Sequence, residues 1–350
     1  MKEFSLSELQ EIMADKDSDY HLSFRKFNRK REWELHDTII GKNVVFLDLK
    51  YLIIFRDLLS NNEQLNLTAS DKQVYSDIYK LLKQLIDLKK IVCVISSSII
   101  DEMDKIDEPR RKATAKVFDV IGQGIIFNTI NINLNELVNV DRIISGEPLI
   151  PRYHLSTVFE SNPVYSQTVL KEFDSLPGIM KNISFAELCT STLEEYVIGN
   201  YSKNENSGDI IAQIFNSAKA QNEEILQFKN LILRELNSII KSYSDWKLAP
   251  LKNSIRAESH IELFKQYAPH MYLMAAIHSA MAMNRDQRYK SNDYYDLLHS
   301  CSAVGYADVF FTEKRFHHLL KTPPVNAEKL FKVKILSEPI AILNYLNSFS

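Results

Sequence analysis

The sequence predicts an α/β fold: a doubly wound parallel sheet flanked by helices, interrupted by a large α-helical insertion. Short continuous runs of β-branched and aromatic residues alternate with amphipathic stretches at both ends of the chain, which is typical of right-handed crossover units. Glycine is scarce, with 8 residues in 350, and this favours helices over turn-rich structure. The middle of the chain has helical periodicity alone.

Three strands are predicted in the first half of the chain. The run Asn43–Leu49 is rich in β-branched and aromatic residues, which are continuous rather than alternating, as expected for a strand that helices cover on both faces. A second such strand is Ile91–Ile95, and the third is Gly124–Ile130. Between the first two, apolar residues from Val74 to Ile86 recur at spacings of three and four and predict an amphipathic helix. Another helix begins at the serines after the second strand.

The second half starts with helices and returns to the alternating pattern. The clearest helix of the middle segment covers residues 222–246, with one apolar face. The end of the chain then predicts a helix at residues 293–304, a strand at Asp308–Phe311, a helix in "KRFHHLLK", a strand in "FKVKIL" and a closing helix in "EPIAILNYLNS". The N-cap of the helix at 293–304 is expected at Ser291, Asn292 or Asp293.

These patterns divide the chain into three parts. Residues 1–42 are a helical N-terminal extension, residues 43–145 and 285–350 form the α/β domain, and residues 146–284 are the helical insertion. The extension contains a basic cluster interleaved with Phe24 and Phe27, which is either a solvated helix face or an arm that contacts phosphates. The cluster consists of Arg25, Lys26, Arg29, Lys30 and Arg31.

Composition excludes several classes of protein. The net charge of −3 gives no overall case for nucleic-acid binding, so any such contact needs a local basic patch. Cys93, Cys189 and Cys301 are far apart and form no CxxC pair, which argues against disulfides or a zinc site. With no apolar leader and no membrane span, a cytoplasmic protein is expected.

Acidic residues fall where the predicted strands end. Asp48 ends the first strand, and Glu102 lies in the first turns of the helix after the second strand. Asp296 lies near the start of its helix, and Glu313 follows the strand "DVFF" and Thr312. Because ligands gather at the carboxyl edge of a parallel sheet, these four acids are expected to meet there.

Four carboxylates at one edge repel one another unless a cation neutralises them. Hard oxygen ligands favour Mg²⁺ or Mn²⁺, and such an ion assists phosphodiester hydrolysis. Each acid also has an ordinary alternative. Asp48 can cap the next helix, Glu102 can belong to an acidic helix face, and Asp293 and Asp296 suit a helix dipole.

The stretches "VVFLDLKYLI", "VISSSIIDEM" and "DLLHSCSAVGYADVFFTEKRF" resemble the PIN-domain nucleases. That family has an Asp ending strand one, a Ser/Pro-x-x-x-x-Glu element after strand two, matched by Ser97 and Glu102, and an Asp-helix-strand-Thr-x-Asp element, matched by Asp296 and Thr312. The resemblance covers about 43–145 and 285–350 and implies a PIN-like nuclease domain.

The resemblance implies that Asp48, Glu102 and Asp296 are core metal ligands. The fourth acid departs from the family, because Lys314 stands where Thr-x-Asp places Asp, and Glu313 comes one residue early. Asp293 and Asp308 are lesser metal-ligand candidates. Asp308 begins its strand, about 15 Å from Glu313 at the rise of a β-strand, and a structural role is the alternative.

Further candidates concern the substrate. His299 lies three residues after Asp296 on one helix face and either positions a water or phosphate or packs in the core. Basic residues near the acids either hold the phosphate backbone or are surface charges. The candidates for substrate binding are Ser97, His299, Thr312, Lys314, Arg315, Arg110 and Arg111, with Lys112 beside them.

The acids predict metal-assisted phosphodiester hydrolysis, and the resemblance to PIN-domain nucleases implies a metal-dependent endoribonuclease that cleaves single-stranded RNA, in the role of a toxin or defence effector. A catalytically weakened PIN-fold binding or scaffold protein is the alternative, favoured by Lys314. A nuclease acting on DNA is a third, since backbone contacts carry little sequence identity. The helical insertion is expected to be a lid, a substrate platform or a surface for a protein partner.

Overall fold

The computed structural model describes residues 38–60, 66–103, 105–122, 125–150, 213, 228–245, 251–284 and 289–349. The basic cluster of the N-terminal extension, Cys189 and much of the helical insertion lie outside the described residues. So does Gly124, where the third strand was expected to start.

Five parallel strands form the sheet of the described residues, in the order β3-β2-β1-β4-β5. They are β1 (Asn43–Leu47), β2 (Ile91–Ser96), β3 (Ile126–Phe127), β4 (Val309–Phe311) and β5 (Lys334–Leu336). Strand order reverses beside β1, which pairs with β2 on one side and β4 on the other. Such a reversal leaves a crevice outside the carboxyl ends of the two central strands.

Helices flank this sheet, which confirms the predicted α/β class with a parallel sheet. The helices are α1 (Leu49–Leu59), α2 (Ala69–Asp87), α3 (Ser97–Met103), α4 (Glu108–Ile121), α5 (Thr129–Ile144), α6 (Phe228–Asp245), α7 (Ala257–Tyr267), α8 (Pro269–Met283), α9 (Ser291–Tyr306), α10 (Lys314–Lys321), α11 (Ala327–Phe331) and α12 (Pro339–Asn347). Val45, Phe46 and Leu47 of β1 are fully buried. Burial of successive residues explains why the strand is continuously apolar after Asn43, because neighbouring side chains point to opposite faces.

Two boundaries differ from the predicted ones. The third strand has only two residues, because Asn128 caps α5 with its side chain and the helix begins at Thr129. The N-cap of α9 is Lys290, one residue before the expected set. Asp293 accounts for this start, since its carboxylate reaches back to accept the Lys290 N–H at 2.8 Å.

A second hydrophobic core lies among helices α5 to α8. Leu236, Phe264 and Met271 are fully buried within it. Helix α8 also contributes Leu273 and Ile277 to the core around the sheet. The described insertion helices are therefore packed onto the α/β part through a shared helix.

Glu136 of α5 fastens these parts together. Its buried carboxylate accepts the N–H groups of His270 and Met271 at 2.9 Å, so it caps the start of α8. It also accepts the hydroxyl of Tyr306, at the end of α9, at 2.9 Å. One carboxylate thus joins α5, α8 and α9.

No helix in the described part of the chain is long and apolar enough to cross a membrane.

Candidate functional site

Asp48 is held in place from two directions at the carboxyl end of β1. It is the N-cap of α1, and its Oδ1 accepts the Lys50 N–H at 3.0 Å. Its Oδ2 accepts the Thr312 hydroxyl at 3.3 Å, across from the end of β4. The side chain is 6% exposed. Asp48 therefore caps α1 and also lies at the crevice, so the two interpretations of this residue are compatible.

The other three acids approach Asp48 from separate elements. Glu102 lies in α3 after β2, Asp296 lies in the second turn of α9, and Glu313 is the N-cap of α10 directly after β4 and Thr312. The negative charges of Asp48, Glu102 and Glu313 all raise the pKa of Asp296. The four acids consequently form one electrostatic group, called here the acid cluster: Asp48, Glu102, Asp296 and Glu313.

Burial and mutual repulsion keep protons on the acid cluster. Burial, and then the charges of Asp48, Glu102 and Glu313, raise the pKa of Asp296 to about 9. Burial and the charge of Asp48 raise the pKa of Glu102 to about 7, although the cation of Lys105 opposes them. Burial, helped by Glu313, raises the pKa of Asp48 to about 6 against the Lys50 and Thr312 hydrogen bonds. A chain at neutral pH without a cation therefore carries bound protons here.

The cluster is not a preformed metal cage. Within the described residues, no group of three or more His, Cys, Asp or Glu side chains is placed so that it could hold a metal ion. The carboxylates interact electrostatically without converging on a point, so their side chains must rotate before they can share an ion. Their hard oxygens fit Mg²⁺ or Mn²⁺ chemically.

Asp293 has a different partner. It is fully buried, and its two carboxylate oxygens each accept a hydrogen bond from a terminal nitrogen of Arg315, with Nη2 to Oδ2 at 2.9 Å. The same carboxylate receives the Lys290 N–H. Asp293 was a lesser candidate for metal ligation, and in the structure its oxygens are occupied by Arg315 and the helix start.

Asp308 lies away from the acid cluster. It precedes β4, and its carboxylate accepts the Val44 N–H at 2.7 Å near the beginning of β1. Asp308 and Val44 both lie at the amino edge of the sheet, whereas Asp48 lies at the carboxyl edge. The structure does not bring Asp308 to the other acids and gives it a structural hydrogen bond.

His299 and Ser97 are turned inward. His299 is fully buried, lies 3.8 Å from Glu102 between Nε2 and Oε2, and makes no hydrogen bond of normal geometry with its ring nitrogens within the described residues. Burial lowers its pKa to about 3, so the ring is neutral. The Ser97 hydroxyl bonds the hydroxyl of Thr129 at 2.9 Å. His299 is therefore a neutral, buried ring beside Glu102, and the half-buried Ser97 links α3 to the start of α5.

The basic candidates fall into two groups. Arg111 is fully buried, so its guanidinium does not reach solvent in this structure. Arg110 and Lys112 are paired on α4 with Asp107 and Glu108. Lys314 is 75% exposed along its side chain and pairs with Glu338 at 3.1 Å.

Lys105 is a contributor that sequence reasoning missed. Its ammonium donates to the Asn292 side chain at 2.9 Å and lies 4.1 Å from the centre of the Tyr295 ring. These contacts join the end of α3 to the start of α9, beside Glu102 and Asp296. The signal was its position three residues after Glu102, where a cation can sit beside that acid.

No protein-family model, curated protein or solved structure that we compared matches the chain.

Proposed function

We propose that this protein is a metal-dependent nuclease that hydrolyses phosphodiester bonds of single-stranded RNA. The observation that carries the proposal is the acid cluster: four carboxylates from separate elements, gathered beside the strand-order reversal, whose charges help to raise the pKa values of Asp48, Glu102 and Asp296. Buried acids that repel one another favour a divalent cation, and perturbed pKa values concentrate at functional sites.

Asp48, Glu102, Asp296 and Glu313 are the residues that would hold Mg²⁺ or Mn²⁺. When bound, such an ion polarises the phosphodiester and lowers the pKa of an attacking water. Asp48 is oriented for this task by the Lys50 N–H and the Thr312 hydroxyl, which fix both of its oxygens. Binding requires the cluster to release its protons and the carboxylates of Glu102, Asp296 and Glu313 to turn toward Asp48.

Cleavage assays test the proposal directly. Labelled single-stranded RNA and DNA are incubated with the protein in Mn²⁺, in Mg²⁺ and in chelator, alongside Asp48→Asn. Asp308→Asn is the matched control, because it changes an Asp at the opposite edge of the same sheet. RNA cleavage that needs the metal, disappears in Asp48→Asn and persists in Asp308→Asn is the expected result. Cleavage that survives in chelator or in Asp48→Asn would refute the metal-nuclease assignment. If only DNA is cleaved, the substrate is DNA and not RNA.

A binding or scaffold protein with a weakened PIN-like site is the second candidate. Two observations favour it: no group of acids in the described residues is arranged to hold a metal as it stands, and Lys314 occupies the position of the family's fourth acid. The same assay separates the two, because a scaffold binds the labelled strand without cutting it in any metal.

A further inference from the structure

The Asp293–Arg315 pair is asymmetric in its burial. The Asp293 side chain is wholly inside the protein, whereas the Arg315 side chain is 35% exposed. Asp293 accepts a hydrogen bond from each terminal nitrogen of Arg315, so the plane of the guanidinium is fixed at the boundary between core and solvent. A fixed, partly exposed guanidinium differs from a flexible surface cation, because little conformational freedom is lost when it binds an anion.

This guanidinium lies beside the acid cluster. Asp293 raises the pKa of Arg315 most, and the charges of Asp296 and Glu313 raise it further. Arg315 is also the second residue of α10, two positions after Glu313. A nucleic-acid strand that approaches the cluster carries a negative phosphate toward negative carboxylates, so a nearby fixed cation is needed to guide it.

Two other cations near the cluster, Lys105 and Lys314, are less suited to this task. Lys105 is held by Asn292 and the Tyr295 ring, and Lys314 is turned toward Glu338. Arginine also matches a phosphate with paired N–H groups, which an ammonium cannot do.

We infer that Arg315 binds a phosphate of the single strand next to the acid cluster, and that Asp293 is the positioning residue that orients it. This inference rests on the proposed function, since it names the substrate contact of the same site. The ligand chemistry is a backbone phosphodiester, which RNA and DNA share.

The test measures binding of a fluorescein-labelled 12-nucleotide strand, as RNA and as DNA, by anisotropy in chelator across a range of salt. The variants are Arg315→Ala, Arg315→Lys and Asp293→Asn. Lys321→Ala is the matched control, because Lys321 is on the same helix, is equally exposed at 35%, and is also paired with an acid, Glu328. Circular dichroism checks folding, and Asp293→Asn combined with Arg315→Gln serves if a single variant unfolds, since it removes both charges together.

Arg315→Ala should weaken binding about tenfold. It should also lower the slope of log affinity against log salt by about 0.7, the value for one phosphate on a single strand. Arg315→Lys should restore the slope but not the affinity. Asp293→Asn should keep the slope and lose affinity, which a purely structural role does not produce. Lys321→Ala should leave the slope unchanged.

A folded Arg315→Ala, or the double variant, that binds with wild-type affinity and slope would overturn the inference, as would a wild-type chain that binds neither strand. Binding by the wild type without cleavage in metal would refute the proposed nuclease while the Arg315 slope is still measured. Metal-dependent cleavage with an unchanged slope in Arg315→Ala would refute the phosphate contact alone.

Discussion

Glu102→Gln should make the metal-free chain more stable at alkaline pH. The pKa of Glu102 rises from an ordinary value of 4.5 to about 7, chiefly through burial and then through the charge of Asp48. Each pH unit of that difference is worth about 1.4 kcal/mol, so the ionised carboxylate costs the folded state about 3 kcal/mol above pH 7. Glutamine resembles the protonated form and carries no such cost.

The direction follows from proton binding. A carboxyl with a higher pKa in the folded chain than in the unfolded chain holds its proton more tightly when folded. Wild-type stability should therefore fall as pH rises from about 4.5 to about 7 and level off beyond, as far as Glu102 is concerned. Glu102→Gln should match the wild type near pH 4 and exceed it by up to about 3 kcal/mol at pH 8.5.

Urea unfolding followed by circular dichroism, in chelator at pH 4.5, 6 and 8.5, measures the difference. Glu262→Gln is the control, because Glu262 is on α7 with a side chain 77% exposed and paired to Lys265. Wild-type and Glu102→Gln stabilities that stay parallel across this pH range would show that Glu102 is not ionised at a cost, and the reasoning about the acid cluster would fail.

Two further predictions concern the cluster and its support. Mn²⁺ binding at pH 7 should release about one to two protons per ion, because the pKa values of Asp296 and Glu102 are raised to about 9 and about 7. Calorimetry in buffers of different ionisation enthalpy measures this proton release. Binding heats that do not depend on the buffer would contradict the prediction. Tyr306→Phe should destabilise the chain by about 1 kcal/mol, since it removes the hydroxyl that donates to buried Glu136; urea unfolding measures the loss, and an unchanged midpoint would show that the hydrogen bond contributes nothing net.

The element in which each acid lies could be predicted from residue order alone. Asp48 and Glu102 follow buried runs, and the rule that parallel strands share a carboxyl edge places them together. The same spacing put Asp308 at the other end of its strand, where it now bonds Val44. These inferences succeed because backbone geometry decides them.

Side-chain partners were beyond the sequence. The sequence offers Arg111 as a phosphate contact or a surface charge, and both need an exposed guanidinium, yet the side chain is at 0% exposure. Asp293 resembled a metal ligand, since nothing in its neighbourhood shows that Arg315, 22 residues later, folds back onto it. Whether four acids at one edge converge depends on rotamers, which the order of residues does not specify.

Because Glu136 of α5 is hydrogen-bonded to both α8 and α9, truncating the chain should affect the site. Asp296 lies on α9, and the far end of that helix is anchored through Tyr306 to the carboxylate that also caps α8. Helix α8 lies within the segment predicted as an insertion, so cutting that segment out would remove the His270 and Met271 N–H donors of this buried acid and loosen the helix that carries Asp296. A minimal α/β fragment is therefore a poor substitute for the whole chain, because the insertion supports the helix that positions Asp296.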